Sequence, residues 1–275
     1  MNISTQTIIE QTKGWQLINF RELFRYKDLF YFLVWKEIKV LYKQTVLGLA
    51  WAIIRPLLTM IIFSIVFGRL AGIPSDGAPY SIFAFVALIP WTYFSTAMTS
   101  SSNSLVGNAN LLTKVYFPRL IIPMTPVLSG LVDFGIAFLM LGVMMAWFRI
   151  MPSWNILFLP LLIFLTLCSA SGIGMWLSAL AIQYRDVKFA VPFLAQVLLY
   201  AAPVAWPVSL IPSNYRFVYG LYPIAGVIEG FRSALLGTNP MPWDLIASGS
   251  LSTTILLLSG ALYFRRMERV FADIV

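Results

Sequence analysis

Residues 217–236 read FVYGLYPIAGVIEGFRSALL. A helix of twenty residues, at about 1.5 Å per residue, can cross a hydrocarbon core of about 30 Å. This stretch is apolar enough to do so, yet it holds Pro223, Gly226, Glu229, Gly230 and Arg232. Charges at the centre of a lipid-facing helix cost roughly 2.5–3.5 kcal/mol each. A broken helix that dips in and returns avoids that cost when it is buried in protein or lines a wet cavity. Glu229 and Arg232 stand i,i+3 on a helix and can pair, which lowers the cost of burying both. The segment is therefore predicted to be a re-entrant helical hairpin.

Six other stretches read as membrane spans: about 47–68, 80–97, 120–147, 156–182, 189–210 and 245–264. The predicted fold class is an all-α integral membrane protein. It has six transmembrane helices, an N-terminal amphipathic interfacial helix and the re-entrant hairpin on the outer face before the last span. The chain divides into a cytoplasmic arm, 1–45, and a transmembrane domain, 46–275. Composition agrees. Of 275 residues 59% are apolar and 11% charged, against about 25% charged in a soluble domain. The first twenty residues, MNISTQTIIEQTKGWQLINF, are polar and lack the apolar core of a signal peptide.

Charge placement tests the topology. With six spans and the N-terminus inside, fifteen Lys and Arg face inward. They include Lys13 and Lys43 of the arm, Arg55, Lys114, Arg119, Arg185, Lys188 and the tail residues Arg265, Arg266 and Arg269. Only Arg69, Arg149, Arg216 and Arg232 fall outside. That asymmetry follows the positive-inside rule, and a seventh span would place the basic tail outside. Both termini are thus expected in the cytoplasm. Within the arm, Phe20, Leu23/Phe24, Tyr31, Val34/Trp35, Ile38 and Leu41/Tyr42 recur at helical spacing between charges. This predicts an amphipathic helix over 21–42, at the interface or against a soluble partner.

Absences narrow the chemistry. The chain has no His and a single cysteine, Cys168, so no intrachain disulfide, no zinc constellation and no His-based triad is available. No GxxxxGK[ST] loop occurs, so the chain has no phosphate-cradling loop of its own. Gly172-Ile-Gly174 lies inside an apolar span and reads as a close-packing site. The basic balance belongs to a membrane topology, and no nucleic-acid partner is expected. Asp133 is the one ionisable residue well inside a span. It reads as a proton relay or as a structural group paired with Arg55 or capping a neighbouring helix.

Two inner loops look built for contact. One runs from Asn108 to Arg119 inside the 98–119 loop, where Asn110 can cap a short helix and Pro118 helps to end it. The other, Gln183–Lys188, holds Arg185, Asp186 and Lys188. Among the aromatics, Trp91, Tyr93, Phe94, Tyr200 and Trp206 are candidates for a glycan path. Flat rings offer sugars an apolar face without demanding an exact sequence.

Four ordered motifs resemble the ABC-2 type permeases. They are WKEIKVLYKQTVLGLAW (35–51) with Pro56, NLLTKVYFPR (110–119) with Pro123, YRDVK (184–188), and YPIAGVIEGFR (222–232). A common family form has Asn before the proline of the last motif, where this chain has Tyr222. The subgroup most similar is the polysaccharide and polyol phosphate exporters, the Wzm-like O-antigen permeases with their capsule and teichoic acid relatives. The resemblance implies a homodimer enclosing a channel in the bacterial inner membrane. Two copies of a separate ATPase subunit would carry ATP and Mg, with no cofactor in this chain. It implies a glycan linked to undecaprenyl pyrophosphate as cargo. Lys114, Arg119, Arg185, Asp186 and Lys188 would couple to the ATPase. Arg55 and Lys43 would meet the lipid head group at an inner gate. Pro223, Glu229 and Arg232 would sit in a hairpin closing the outer mouth. Other readings are an ABC-2 permease for another amphiphile, such as a teichoic acid, capsule polymer, lipid or drug, a polyprenyl-lipid-modifying enzyme, and a channel or scaffold.

Overall fold

The computed structural model describes residues 20–43, 48 and 50–268. Lys13, Arg269, the start of the first expected span at Leu47, the 45/46 boundary and both chain ends lie outside the described residues. Eleven α-helices and no strand occur among the described residues. The helices α1 (Phe20–Arg25) and α2 (Lys27–Tyr42) form the arm. α3 (Ala50–Phe63) runs on as a π-helix, Ser64–Leu70. α4 (Tyr80–Gly107), the short α5 (Ala109–Lys114), α6 (Ile121–Phe148), α7 (Leu159–Gln183) and α8 (Val187–Ala201) follow. α9 (Ser213–Gly220) and α10 (Pro223–Leu236) take up the segment expected as a hairpin, and α11 (Trp243–Glu268) follows.

Five helical stretches are long and apolar enough to cross a membrane: 50–70, 80–107, 121–148, 154–183 and 243–268. The expected span over 189–210 differs. Its helix, α8, ends at Ala201 after fifteen residues, about 22 Å long and short of a 30 Å core. Pro203 and Pro207 lack the N–H donors that would continue it. The chain turns through 202–207 into a single 3-10 turn, Val208–Leu210. Ala202, Val204 and Val208 are fully buried there, so this irregular backbone lies inside protein, as a bilayer requires.

α4 is the central helix. Residues 82–91 are buried without interruption, because α3, α6, α7, α8 and α10 all pack against it. α7 lies between α4 and α11. A Cβ on Gly172 would stand 2.8 Å from the Leu257 backbone nitrogen, and one on Gly174 2.8 Å from Ser101. The Gly-Ile-Gly stretch is thus where α7 meets α11 on one side and α4 on the other. Ser169 and Thr253 exchange a 2.8 Å hydrogen bond across α7 and α11, and Trp176 stacks on Tyr263.

A second apolar cluster holds one end of the bundle together. It joins Leu33 of α2, Leu105 of α4, Phe117 and Ile121, Met175 and Ile182 of α7, and Phe264 of α11. The ends of α4, α7 and α11 therefore meet the start of α6 here. Lys114, Arg119, Arg185, Lys188, Arg265 and Arg266 collect at this basic end. The opposite end carries residues 71–79, 149–158, 202–212 and the α9–α10 hairpin.

Two local expectations change. The 98–119 loop is mostly helical: α4 continues through Thr99–Asn103 to Gly107, since Ser, Thr and Asn inside a bundle bond to the helix's own carbonyls. Ser102 and Asn103 both donate to the Thr99 carbonyl. α5 starts after Asn108, not at an Asn110 cap, and ends at Lys114, four residues before Pro118. The arm helix is broken at Tyr26. Leu29, Phe30 and Leu33 pack inward, whereas Tyr31, Trp35 and Leu41 are exposed. From Leu33, in the cluster with Ile122, to Tyr42 on Asp133, α2 follows α6.

Candidate transport site

Arg232 is the largest fully buried side chain, 2% exposed. Its Nη1 lies 3.1 Å from Glu229 Oε2 and 3.3 Å from the Trp206 carbonyl. Nη2 donates to the Val204 carbonyl at 2.9 Å and Nε to the Phe83 carbonyl at 3.4 Å. The guanidinium carbon sits 3.5 Å from the Phe83 ring centroid. One cation thus ties α10 to α4 and to the turn after α8, and the i,i+3 pairing expected from the sequence is present. Such a fork of fixed donors is a role that arginine fills and lysine cannot.

The hairpin starts where the sequence breaks. Tyr222 takes an extended backbone and Pro223, buried, begins α10 at its first position, where a missing N–H costs nothing. All fourteen residues of α10 are buried. Gly226 lets it touch α11: a Cβ there would lie 2.6 Å from the Leu245 carbonyl oxygen. Nearby, Asp76 accepts from Asn239 at 2.7 Å and Ser209 at 3.0 Å, and the Tyr80 hydroxyl donates to the Ala205 carbonyl. This end of the bundle is tied together by side-chain bonds, to other side chains and to backbone carbonyls.

The aromatic candidates separate. Trp91, Tyr93 and Phe94 are buried within the chain, at 4%, 5% and 0% exposure. The Tyr93 hydroxyl donates to the Val127 carbonyl at 2.7 Å, and its ring meets Phe134 edge-on. Tyr200 is exposed. Trp206 lies beside it, its ring nitrogen 3.5 Å from the Tyr200 carbonyl. What α4 leaves open over 92–103 is polar, with Val106 exposed beyond it. Thr92 and Thr96 are exposed, and Thr99, Ser100 and Asn103 are half-exposed. These positions form one helical face. A polar face on a membrane helix belongs against protein or water. The sequence carried that signal in the 92, 96, 99, 103 spacing, beneath the more conspicuous rings.

At the basic end, Lys114 closes α5 and is exposed. Arg185 and Asp186 are exposed in the turn between α7 and α8, and Lys188 is exposed in the first turn of α8. The Asp186 carbonyl accepts from the backbone N–H of Phe189 and Ala190, which starts α8. Arg119 is half-buried and donates to the Glu268 carbonyl at 2.6 Å, joining the α5–α6 connection to α11. The helix ends bring the two loops to the same end of the bundle. Lys43 ends α2, exposed. Arg55 is exposed on α3, its guanidinium 5.5 Å from the Trp51 ring centroid. Asp133 accepts a hydrogen bond from the Tyr42 hydroxyl, a partner the sequence did not suggest. No group of metal-ligating side chains occurs among the described residues.

Long apolar helices around a buried hub, an open polar face and a charged loop end define a multi-pass membrane transport protein. The sequence pattern of the ABC-2 type transporters matches residues 28–236, and the chain belongs to that family. It is 28% identical over 257 residues to the O-antigen export system permease protein RfbA of Myxococcus xanthus, covering 92% of this chain and 97% of that one. It is 25% identical to the protein of the same name from Klebsiella pneumoniae, covering 90% and 95%. The polysialic acid transport protein KpsM of Escherichia coli is 26% identical, covering 86% and 93%.

Proposed function

We propose that this chain is the transmembrane subunit of an exporter that moves a lipid-linked polysaccharide out across the bacterial inner membrane. A separate ATPase subunit supplies the energy, and ATP and Mg belong to that partner. The carrying observation is the end-to-end similarity to O-antigen export permeases, over 90% of the chain or more. The chain works as a homodimer with two ATPase copies at its basic end, and both termini lie in the cytoplasm. α8 with the buried turn after it completes a sixth crossing.

Within that arrangement each cluster has a role. Lys114, Arg119, Arg185, Asp186 and Lys188 receive the ATPase. Arg55 and Lys43 attract the undecaprenyl pyrophosphate head group, since basic groups at an interface bind phosphate. The glycan passes along the α4 face of Thr92 and Thr96, with Tyr200 and Trp206 beside it. Trp91, Tyr93 and Phe94 support that face from behind. Pro223, Glu229 and Arg232 hold the outer closure.

The test is co-purification with the ATPase encoded beside it, followed by hydrolysis and glycan export. The doubly substituted Arg185→Ala, Asp186→Ala protein is expected to lose the ATPase, or to hydrolyse ATP without export. If no ATPase co-purifies and surface glycan is normal without this chain, the reading fails.

A further inference from the structure

A cavity of about 420 Å³ lies between α2, α4 and α6 at the basic end. Pockets for small organic groups run to roughly 300–1,000 Å³. α2 contributes Leu33, Lys36, Glu37 and Val40, which are i, i+3, i+4 and i+7 and so form one face. From α4 come Thr99 and Asn103. The lining is charged in the middle, hydroxyl and amide opposite, and apolar at both flanks.

Glu37 is the unusual member. It is half-buried, and it takes part in none of the ion pairs among the described residues. Burial pushes its carboxyl above the ordinary range, against the pull of neighbouring Lys36. A carboxylate in this position is stabilised by a cation brought from outside. Lys36 next to it is exposed and offers three donors to an anion.

We propose that this cavity binds the head group of a zwitterionic aminophospholipid, its ammonium on Glu37 and its phosphate on Lys36. Thr99 and Asn103 complete the polar wall, and Leu33 and Val40 meet the start of the acyl chains. A purely anionic pyrophosphate head group fits less well, because Glu37 would face it with like charge. Occupied, the site adds a bridge from α2 to α4 beside the packing of α2 on α6 and the cluster that Leu33 shares with Leu105. The lipid would thus set how firmly the arm is held to the bundle.

Native mass spectrometry of the full chain in detergent tests this. Phosphatidylethanolamine and phosphatidylglycerol are added at equal concentration, with undecaprenyl pyrophosphate as competitor. The unaltered chain is expected to retain phosphatidylethanolamine about tenfold better than phosphatidylglycerol, as one charge-assisted contact allows. Glu37→Gln should bring that ratio to about one, and Lys36→Ala should lower retention of both lipids. Thr99→Leu, which fills the cavity from the α4 side and leaves Glu37 in place, should lower phosphatidylethanolamine retention several-fold. Water-soluble phosphoethanolamine should not compete, since it lacks the chains. Equal retention of the two lipids by the unaltered chain overturns the proposal. So does a preference that survives both Glu37→Gln and Thr99→Leu, or displacement of phosphatidylethanolamine by equimolar undecaprenyl pyrophosphate.

Discussion

Arg232 shows how a single residue can hold a membrane protein's irregular backbone. Val204 and Trp206 lie in a turn without a helical ladder, and their carbonyls find their donors on this side chain. Arg232→Ala removes those donors and leaves Glu229 buried without its cation. Breaking a buried pair in this way costs about 3–5 kcal/mol, so a large fall in melting temperature in detergent is expected. Arg232→Lys should recover only part, because an ammonium cannot span Glu229, Phe83 and the turn together. Tyr42 and Asp133 make a smaller case. Tyr42→Phe leaves Asp133 without this donor and should cost about 1–2 kcal/mol. Asp133→Asn keeps an accepting oxygen and should be close to neutral. Equal losses from the two changes, read as thermal shifts, would show that the carboxylate charge matters beyond accepting the bond.

At the scale of the helix, α10 and α11 approach through Gly226. Gly226→Ala places a methyl against the Leu245 carbonyl, and two backbones must separate to admit it. Overpacking of this kind costs about 1–3 kcal/mol, so the melting temperature in detergent and the amount of folded protein recovered should fall, and export should fall with them. Helices of this sort were legible in the sequence wherever hydropathy and secondary structure coincide, as over 120–147. They were not legible where the two part company. Ala201 to Val208 is as apolar as a span, yet two prolines turn it, and hydropathy registers composition without registering a missing N–H. Thr99–Asn103 is polar, yet it stays helical because its hydroxyls bond to the preceding turn. The break before α10 and its buried ion pair were readable because Pro223, Glu229 and Arg232 contradict a simple span. The aromatic rings were ambiguous, since core and channel both favour them. Only burial separates Phe94 from Tyr200.

For the whole molecule, the division between packed core and open face yields a contrast between neighbouring positions. Phe94→Ala empties a fully buried site and should cost about 3–5 kcal/mol, with export lost because less folded protein accumulates. Thr96→Trp lies on the exposed face of α4, and surface changes usually stay within about 0.5 kcal/mol. It should leave the melting temperature unchanged and still stop export by filling the proposed path. A Thr96→Trp protein that exports at the normal rate removes α4 from that path. The complete burial of α10 has a further consequence for genetics. A lid on a flexible tether can be damaged and leave a leaking pore, whereas the proposed outer closure is built from a helix of the folding core. Substitutions along α10 should therefore be found as missing protein, cleared by membrane quality control, and only seldom as cells that lose their ion gradients.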